Sequence, residues 1–275
     1  MDKPNLTFDC GDVARTLSHY TVGFGAIIRN DSVEDAIPAG SGTLVKVGRV
    51  LGVVTARHVI EAIARKTEIG LLRFPPRSGI IHSDRIDLNQ TEFLPLPGDD
   101  GPDGPDLGFI RLPRVTEESL LGTNSFYPLD KPLLPMKGTY KGLGMVEFVL
   151  GIVGEWTTDL ELTKERRRKQ FMLLSAGGSV GDDREHAGFD LATFTPSYDE
   201  DKSPPDSYGG VSGGGIWRVF FRPDGSNHVE HRRLIGTAFY EYKEDDGIMR
   251  IIHHGPSSLE RHLLPAIRSR WADAA

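Results

Sequence analysis

The chain alternates short apolar runs with clusters of glycine, proline and aspartate, and most of these runs have the length of a β-strand. In the first half, runs rich in β-branched and aromatic residues predict strands at 21–29, 42–47, 50–55, 70–74, 85–88 and 107–112. In the second half they predict strands at 146–153, 170–174, 189–194, 215–221, 233–242 and 249–253. Short strands at this spacing, separated by turn residues, favour a barrel or sandwich over alternating βαβ units.

Apart from a short helical pattern that begins at His58, helical patterns lie at the two ends. The mixed polar segment 1–18 predicts an N-terminal arm with a short helix at 13–17. An amphipathic pattern at 258–267 predicts a C-terminal helix, of which Pro265 would kink or end the first part. Segment 119–141 lacks strand character and contains several prolines, so it predicts a crossing between two lobes. We therefore divide the chain into an arm (1–18), a first β-lobe (19–120), a crossing (121–145) and a second β-lobe with the helix (146–275).

A glycine-rich bend around Ser212 is the first stretch whose residues indicate a catalytic site. Segment 209–215 reads Gly-Gly-Val-Ser-Gly-Gly-Gly and leads into the apolar run 216–221. Glycine on both sides of the serine permits positive φ and lets bare amide groups approach a substrate carbonyl. Ser212 is therefore a candidate nucleophile, and the amides of Gly210 and Ser212 are candidate donors of an oxyanion hole.

Two upstream stretches supply a candidate base and acid. His58 follows an apolar strand, and Asp106 precedes the apolar run 107–112. A serine hydroxyl needs a base such as imidazole, and a carboxylate on the far ring nitrogen fixes the imidazole tautomer. The order His58, Asp106, Ser212 is that of the chymotrypsin type of triad. Asp106 is the preferred acid because the head of an apolar strand can bury a carboxylate, and Asp103 in the same loop is the alternative.

Four motifs in this order resemble those of the trypsin-like (chymotrypsin-fold) serine proteases, especially their disulfide-free intracellular and bacterial branch. They are Gly-Ser-Gly-Thr-Leu-Val at 40–45, Thr-Ala-Arg-His at 55–58, Asp-Leu-Gly-Phe-Ile at 106–110 and Gly-Val-Ser-Gly-Gly at 210–214. Gly108 replaces the family's usual alanine. The resemblance extends from about Tyr20 to the C-terminal helix. It implies an all-β fold of two six-stranded antiparallel β-barrels with a C-terminal helix, and a serine endopeptidase that works through His58, Asp106 and Ser212 and an acyl-enzyme.

The resemblance also implies a substrate pocket. Asp206 and Ser207 stand where trypsins carry an aspartate and a serine at the base of that pocket, which implies a preference for Arg or Lys at P1. The alternative is that Asp206 is a solvated loop residue. Tyr240 would replace the usual tryptophan of the pocket wall, and Glu241 would replace a glycine and either narrow the pocket or add a second carboxylate. Val211 replaces the aspartate that pairs with a new N-terminus after zymogen cleavage, so we expect control by a protein partner, an oligomer or substrate-induced ordering.

Composition and charge narrow the class of protein further. The chain has 275 residues, 38% of them apolar and 26% charged, as in ordinary globular domains. Its net charge of −7 argues against a nucleic-acid partner. The sequence shows no secretion signal or membrane-spanning run, and Cys10 is the only cysteine, so we expect a reducing, cytoplasmic location. We expect a protein or peptide substrate and neither a metal nor a cofactor.

Three rival interpretations have to be weighed: an α/β-hydrolase esterase, a zinc or phosphate-binding site, and a binding module. The bend around Ser212 also fits the nucleophile elbow of α/β-hydrolase esterases, with Asp245, Asp246, His253 and His254 downstream, but a proline-rich loop precedes the serine and a strand-like run follows. The histidines at 228, 231, 253 and 254 lack the spacing of a zinc helix, and the bend lacks the Lys-Ser/Thr of a phosphate loop. The third interpretation is a protease-fold binding module without activity.

Overall fold

A computed structural model describes residues 10–30, 33–74, 82–99, 101–131, 140, 142–162, 167–198, 203–224 and 228–272. Within them, fourteen strands form two sheets, and helices precede and follow the strands. The prediction of an all-β fold with two β-lobes and a C-terminal helix is thereby confirmed. Residues 1–9 of the predicted arm and residues 132–139 and 141 of the predicted crossing lie outside the described residues.

The first sheet contains the two strands next to whose ends His58 and Asp106 lie. Its strands are β1 (Thr21–Asn30), β2 (Val33–Val47), β3 (Val50–Thr55), β4 (Glu68–Arg73), β5 (His82–Asp87), β6 (Glu92–Pro95), β7 (Gly108–Arg111) and β8 (Tyr127–Pro128). They are ordered β5-β4-β1-β2-β3-β7-β6, and β8 pairs with β2 in parallel while all other pairs are antiparallel. Within the described residues the edge strands β5 and β6 do not pair, so this sheet is a half-barrel.

The second sheet is a closed barrel of six antiparallel strands, as the resemblance implied. Its strands are β9 (Gly144–Leu162), β10 (Arg167–His186), β11 (Phe189–Ser197), β12 (Gly215–Phe221), β13 (Val229–Lys243) and β14 (Met249–His254). They close in the order β10-β11-β14-β13-β12-β9. Ser212 lies in the bend that enters β12.

The helical segments are short. They are α1 (Cys10–Ser18), α2 (Arg57–Ala64), a 3₁₀ turn (Leu88–Gln90), α3 (Arg114–Leu121), α4 (Pro256–Ser258), a π-helical turn (Leu259–Leu263) and α5 (Leu264–Arg270). The predicted interruption of the C-terminal helix at Pro265 corresponds to a change of helix type: the π-helical turn ends at Leu263, and α5 continues past Pro265 to Arg270. The residues before Pro265 are already helical, so the N–H that proline lacks is missing inside the helix, next to the π-helical turn.

Apolar side chains from both sheets and from the C-terminal helix share one core. Buried members from each source include Val54 and Phe109 of the first sheet, Phe148 and Trp217 of the barrel, and Leu263. Burying one such side chain contributes about 1.5–3 kcal/mol. Since this cluster joins both sheets, it fixes the relative position of the strand ends at which the candidate catalytic residues lie.

Candidate active site

The structure brings the predicted base and acid into direct contact. His58 Nδ1 lies 2.5 Å from Asp106 Oδ2, and the backbone N–H of His58 donates to Asp106 Oδ1 at 2.9 Å. The Asp106 side chain is fully buried. Asp103, the alternative acid, is exposed and forms an ion pair with Arg184 at 3.2 Å. Asp106 is therefore the aspartate that orients His58, and the ring is left with Nε2 as the nitrogen that can exchange a proton with a reactant.

Strand pairing explains why two residues 48 positions apart meet. β3 and β7 are antiparallel neighbours, and Thr55 pairs with Gly108 at the end of the ladder. The residues that follow β3 and the residues that precede β7 therefore leave the sheet at the same edge. His58 in the first turn of α2 and Asp106 just ahead of β7 occupy these two positions.

Ser212 faces the same pocket as His58. The pocket has a volume of about 320 Å³ and is lined by His58, Tyr208, Gly209, Val211, Ser212, Ala238, Phe239, Tyr240, Glu241 and Ile251. The Ser212 hydroxyl donates a long hydrogen bond of 3.4 Å to the carbonyl oxygen of Phe239. The three residues of the predicted triad thus converge, two of them on the pocket and Asp106 behind the imidazole.

The bend holds two backbone amides without a protein acceptor. Gly210 has φ +97°, a left-handed conformation that favours glycine. The Gly154 N–H donates to the Gly209 carbonyl at 2.7 Å. Because a trans peptide places its C=O and N–H on opposite sides, this bond turns the Gly210 N–H the other way. Among the described residues, neither this amide nor that of Ser212 donates to a protein acceptor, as the predicted oxyanion hole requires.

Ser41 of β2 connects the bend to the first sheet, a role that the sequence did not reveal. Its N–H donates to the Ser212 carbonyl at 2.8 Å, and its hydroxyl donates to the Gly210 carbonyl at 2.7 Å. The same hydroxyl accepts the N–H of Ile152 at 2.8 Å. Ser41 is fully buried, so these bonds are shielded from water. The only sequence signal was a serine between glycines in a strand.

The predicted substrate-binding residues divide into two groups. Tyr240 and Glu241 line the pocket, whereas Asp206 is exposed and does not. The Asp206 N–H donates to Glu155 Oε1 at 2.8 Å. Ser207 donates its hydroxyl to Glu241 Oε1 at 2.6 Å and so contributes to the pocket through that glutamate. The position of Asp206 agrees with the solvated-loop interpretation, because the turn directs this side chain to solvent while Glu241 supplies the carboxylate.

Two histidines whose spacing does not suit a zinc helix, His253 and His254, are buried in β14. His254 is fully buried, and its Nε2 accepts the backbone N–H of Asp106 at 2.9 Å. Burial lowers the pKa of His254 to about 3 and also lowers the pKa of His253, so both rings are neutral at pH 7. His253 ends the predicted strand at 249–253, and β14 extends that strand by one residue to His254.

The esterase alternative does not fit the observed connections. A nucleophile elbow joins a strand to a helix, whereas the bend with Ser212 follows an irregular segment and enters β12 of an antiparallel barrel. Asp246, one of the downstream acids of that alternative, is engaged with Arg250 at 2.8 Å.

Comparisons with known proteins add little beyond this geometry. No family model matches the chain, and no curated protein matches it. One matching solved structure comes from a study of how aromatic interactions drive the coupled folding and binding of the intrinsically disordered Sesbania mosaic virus VPg protein. It covers 89% of each chain at 15% sequence identity, with a TM-score of 0.43. A likeness this weak supports no functional argument. In the part of the chain that the structure describes, no helix is both long and apolar enough to span a membrane.

Proposed function

We propose that this protein is a trypsin-like serine endopeptidase that hydrolyses peptide bonds through His58, Asp106 and Ser212. The observation that carries the proposal is the convergence of these residues: His58 is bonded to a buried Asp106 and shares one pocket with Ser212. Burial of the carboxylate and its two bonds to His58 are what a base needs to stay in one orientation and one tautomer.

The reaction follows from the groups that face the pocket. His58 Nε2 removes the proton from the Ser212 hydroxyl while the oxygen attacks the scissile carbonyl carbon. The carbonyl oxygen becomes an oxyanion that the free N–H groups of Gly210 and Ser212 stabilise. The C–N bond then breaks, and the imidazolium donates its proton to the leaving amine. Water repeats the sequence on the acyl-enzyme and restores Ser212.

One edge of β13 suits an extended peptide substrate. β13 pairs with β12 over residues 229–237 and with β14 over residues 237–243, so among the described residues segment 240–243 pairs with β14 alone. The segment beside Ser212 therefore has unpaired backbone groups on one side. A peptide that added to this edge as a further strand would place its scissile bond near the nucleophile.

We assign the preference for Arg or Lys at P1 to Glu241. Glu241 is the carboxylate that lines the pocket, and its neighbours Val211, Ala238 and Ile251 are apolar. Its two oxygens accept from the Ser207 hydroxyl and the Tyr208 N–H, but these neutral donors leave its charge in place, and a carboxylate in largely apolar surroundings favours a cationic partner. Asp206, which the resemblance suggested for this role, lies outside the pocket.

A peptide library analysed by mass spectrometry tests this proposal. We expect cleavage after Arg or Lys by the wild-type protein and none by Ser212→Ala. Glu241→Gln should weaken cleavage after basic residues, while the matched control Asp206→Asn should leave it unchanged. Cleavage after small or apolar residues would reject the assigned preference but keep the endopeptidase.

A binding module without activity is the second candidate. It is favoured by the Ser212 hydroxyl, which donates to the Phe239 carbonyl in this structure. A folded protein that cleaves no peptide, even with candidate partners present, would support it. The buried Val211 cannot form the ion pair of activated zymogens, so we also propose control by a partner protein or by substrate-induced ordering. With one cysteine in the chain, we further propose a cytoplasmic location.

A further inference from the structure

Across the boundary between the two sheets, one hydrogen bond joins the acid of the triad to a histidine of the barrel. The backbone N–H of Asp106 donates to Nε2 of His254 at 2.9 Å. We propose that His254 is a positioning residue that holds Asp106, and through it His58, at the distance from Ser212 that catalysis requires. The catalytic part of this inference depends on the proposed function.

The direction of this bond fixes the protonation of His254. A backbone N–H only donates, so Nε2 must carry a lone pair and the proton of the neutral ring resides on Nδ1. Among the described residues Nδ1 has no hydrogen-bond partner, although it is buried. An imidazolium would have a proton on both nitrogens and could not accept from Asp106. The burial that keeps this ring neutral therefore also keeps it a hydrogen-bond acceptor.

Packing gives His254 the rigidity that a positioning residue needs. Its ring lies 4.7 Å from the ring of Phe239 and 5.6 Å from that of Phe189, measured between centroids. Its backbone is paired on both sides, with Leu191 of β11 and Thr237 of β13. An anchor held by two strands and two aromatic rings can fix the position of the loop end that it bonds.

The same cluster also contacts the nucleophile. The carbonyl of Phe239 accepts the hydroxyl of Ser212, and the ring of Phe239 packs on His254. His254 thus bonds the acid and packs on the residue that bonds the nucleophile. Removing its acceptor should let the Asp106 backbone shift and misalign the carboxylate with the two groups of His58 that it binds. A misplacement of about 1 Å at a reacting centre can cost roughly 100-fold in rate.

The test compares side chains at position 254 that differ in whether an acceptor atom can reach the Asp106 N–H. In His254→Gln, the side-chain carbonyl can accept close to where Nε2 does, whereas His254→Leu has a similar size and no acceptor, and His254→Asn has an acceptor that is too short. With a peptide substrate, we expect His254→Leu and His254→Asn to lower kcat about 100-fold with KM within about threefold. His254→Gln should recover to within about tenfold of the wild type. His262→Gln, which alters the exposed histidine stacked on Phe189, is the control and should leave kcat unchanged.

A second readout does not require activity. The proton between His58 Nδ1 and Asp106 Oδ2 lies in a hydrogen bond to a buried carboxylate and should give a downfield ¹H NMR signal. We expect this signal in the wild type and in His254→Gln, and its loss or displacement in His254→Asn and in any folded His254→Leu. If wild type shows the signal and this pattern but hydrolyses nothing, the proposed function fails and the positioning role stands. Equal kcat and equal signals in the Gln and Asn variants would overturn the positioning role.

Discussion

Replacement of Asp106 by asparagine keeps the size of the side chain, removes its charge and turns one of its two hydrogen-bond acceptors into a donor. In the wild type, one carboxylate oxygen accepts the His58 backbone N–H at 2.9 Å and the other faces Nδ1 at 2.5 Å. An amide has a single oxygen for these two donors. If that oxygen keeps the backbone bond, the NH₂ faces Nδ1, which must then lose its proton.

The imidazole would consequently carry its proton on Nε2, the nitrogen that must receive the proton of Ser212. The opposite amide orientation would bring the NH₂ against the half-buried backbone N–H of His58, and a donor left unpaired away from water costs about 1–3 kcal/mol. The amide should therefore select the unreactive tautomer. In triads of this type, the wrong tautomer lowers kcat by about 10⁴, or about 5.5 kcal/mol of transition-state stabilisation.

The assay measures kcat and KM on the best peptide from the library for the wild type, Asp106→Asn and Asp103→Asn. We expect Asp106→Asn to lose about 10⁴-fold in kcat with little change in KM. The exposed Asp103→Asn should resemble the wild type, because its carboxylate pairs with Arg184 and not with the base. A loss below about tenfold in a folded Asp106→Asn protein would refute the assignment of Asp106 as the triad acid.

Three further predictions concern stability. Gly213 has φ +88°, and a Cβ at this position would lie 2.0 Å from the Ser41 carbonyl oxygen. Gly213→Ala should therefore lower the midpoint of urea unfolding and abolish activity. A variant with the stability and activity of the wild type would contradict this prediction. Ser41→Ala leaves the buried N–H of Ile152 unpaired and should cost about 2 kcal/mol in urea unfolding, whereas a cost near zero would argue against the bonds described. The pKa of His254 is about 3 in the folded protein and near 6.5 in the unfolded chain. The unfolded chain therefore binds a proton below pH 6.5 that the folded protein does not, and the free energy of unfolding should fall by up to about 1.4 kcal/mol per pH unit below that value. Urea unfolding at pH 7.5 and 5.5 measures this loss, which should shrink in His254→Gln, and equal stability at both values would contradict it.

The strands were predictable wherever both faces are buried or the apolar run is uninterrupted. The prediction at 50–55 coincides with β3 and that at 215–221 with β12, and both strands are largely buried. In contrast, β9 and β10 extend well beyond 146–153 and 170–174. In these extensions, residues 155–160 and 179–186 are mostly polar and exposed, and they carry no alternating pattern to identify a strand.

The contacts around the site join residues that are far apart in the sequence, so no local pattern predicts them. The triad candidates could be predicted because their residue types recur in a fixed order with glycine at the bend. The exposure of Asp206 could not be predicted in this way, because it depends on two glutamates that lie on separate strands. Glu155 accepts the Asp206 N–H, and Glu241 accepts the hydroxyl of Ser207 in the same turn. The bond between His254 and Asp106 spans 148 positions and required the closed barrel to be known.

The most direct test of the central claim is the intact mass of the protein after treatment with a fluorophosphonate, which phosphonylates a serine only when a base activates it. We expect a single adduct on Ser212 in the wild type, and none in Ser212→Ala or His58→Ala. A folded wild-type protein that gains no adduct, or an adduct that persists in Ser212→Ala, would contradict it.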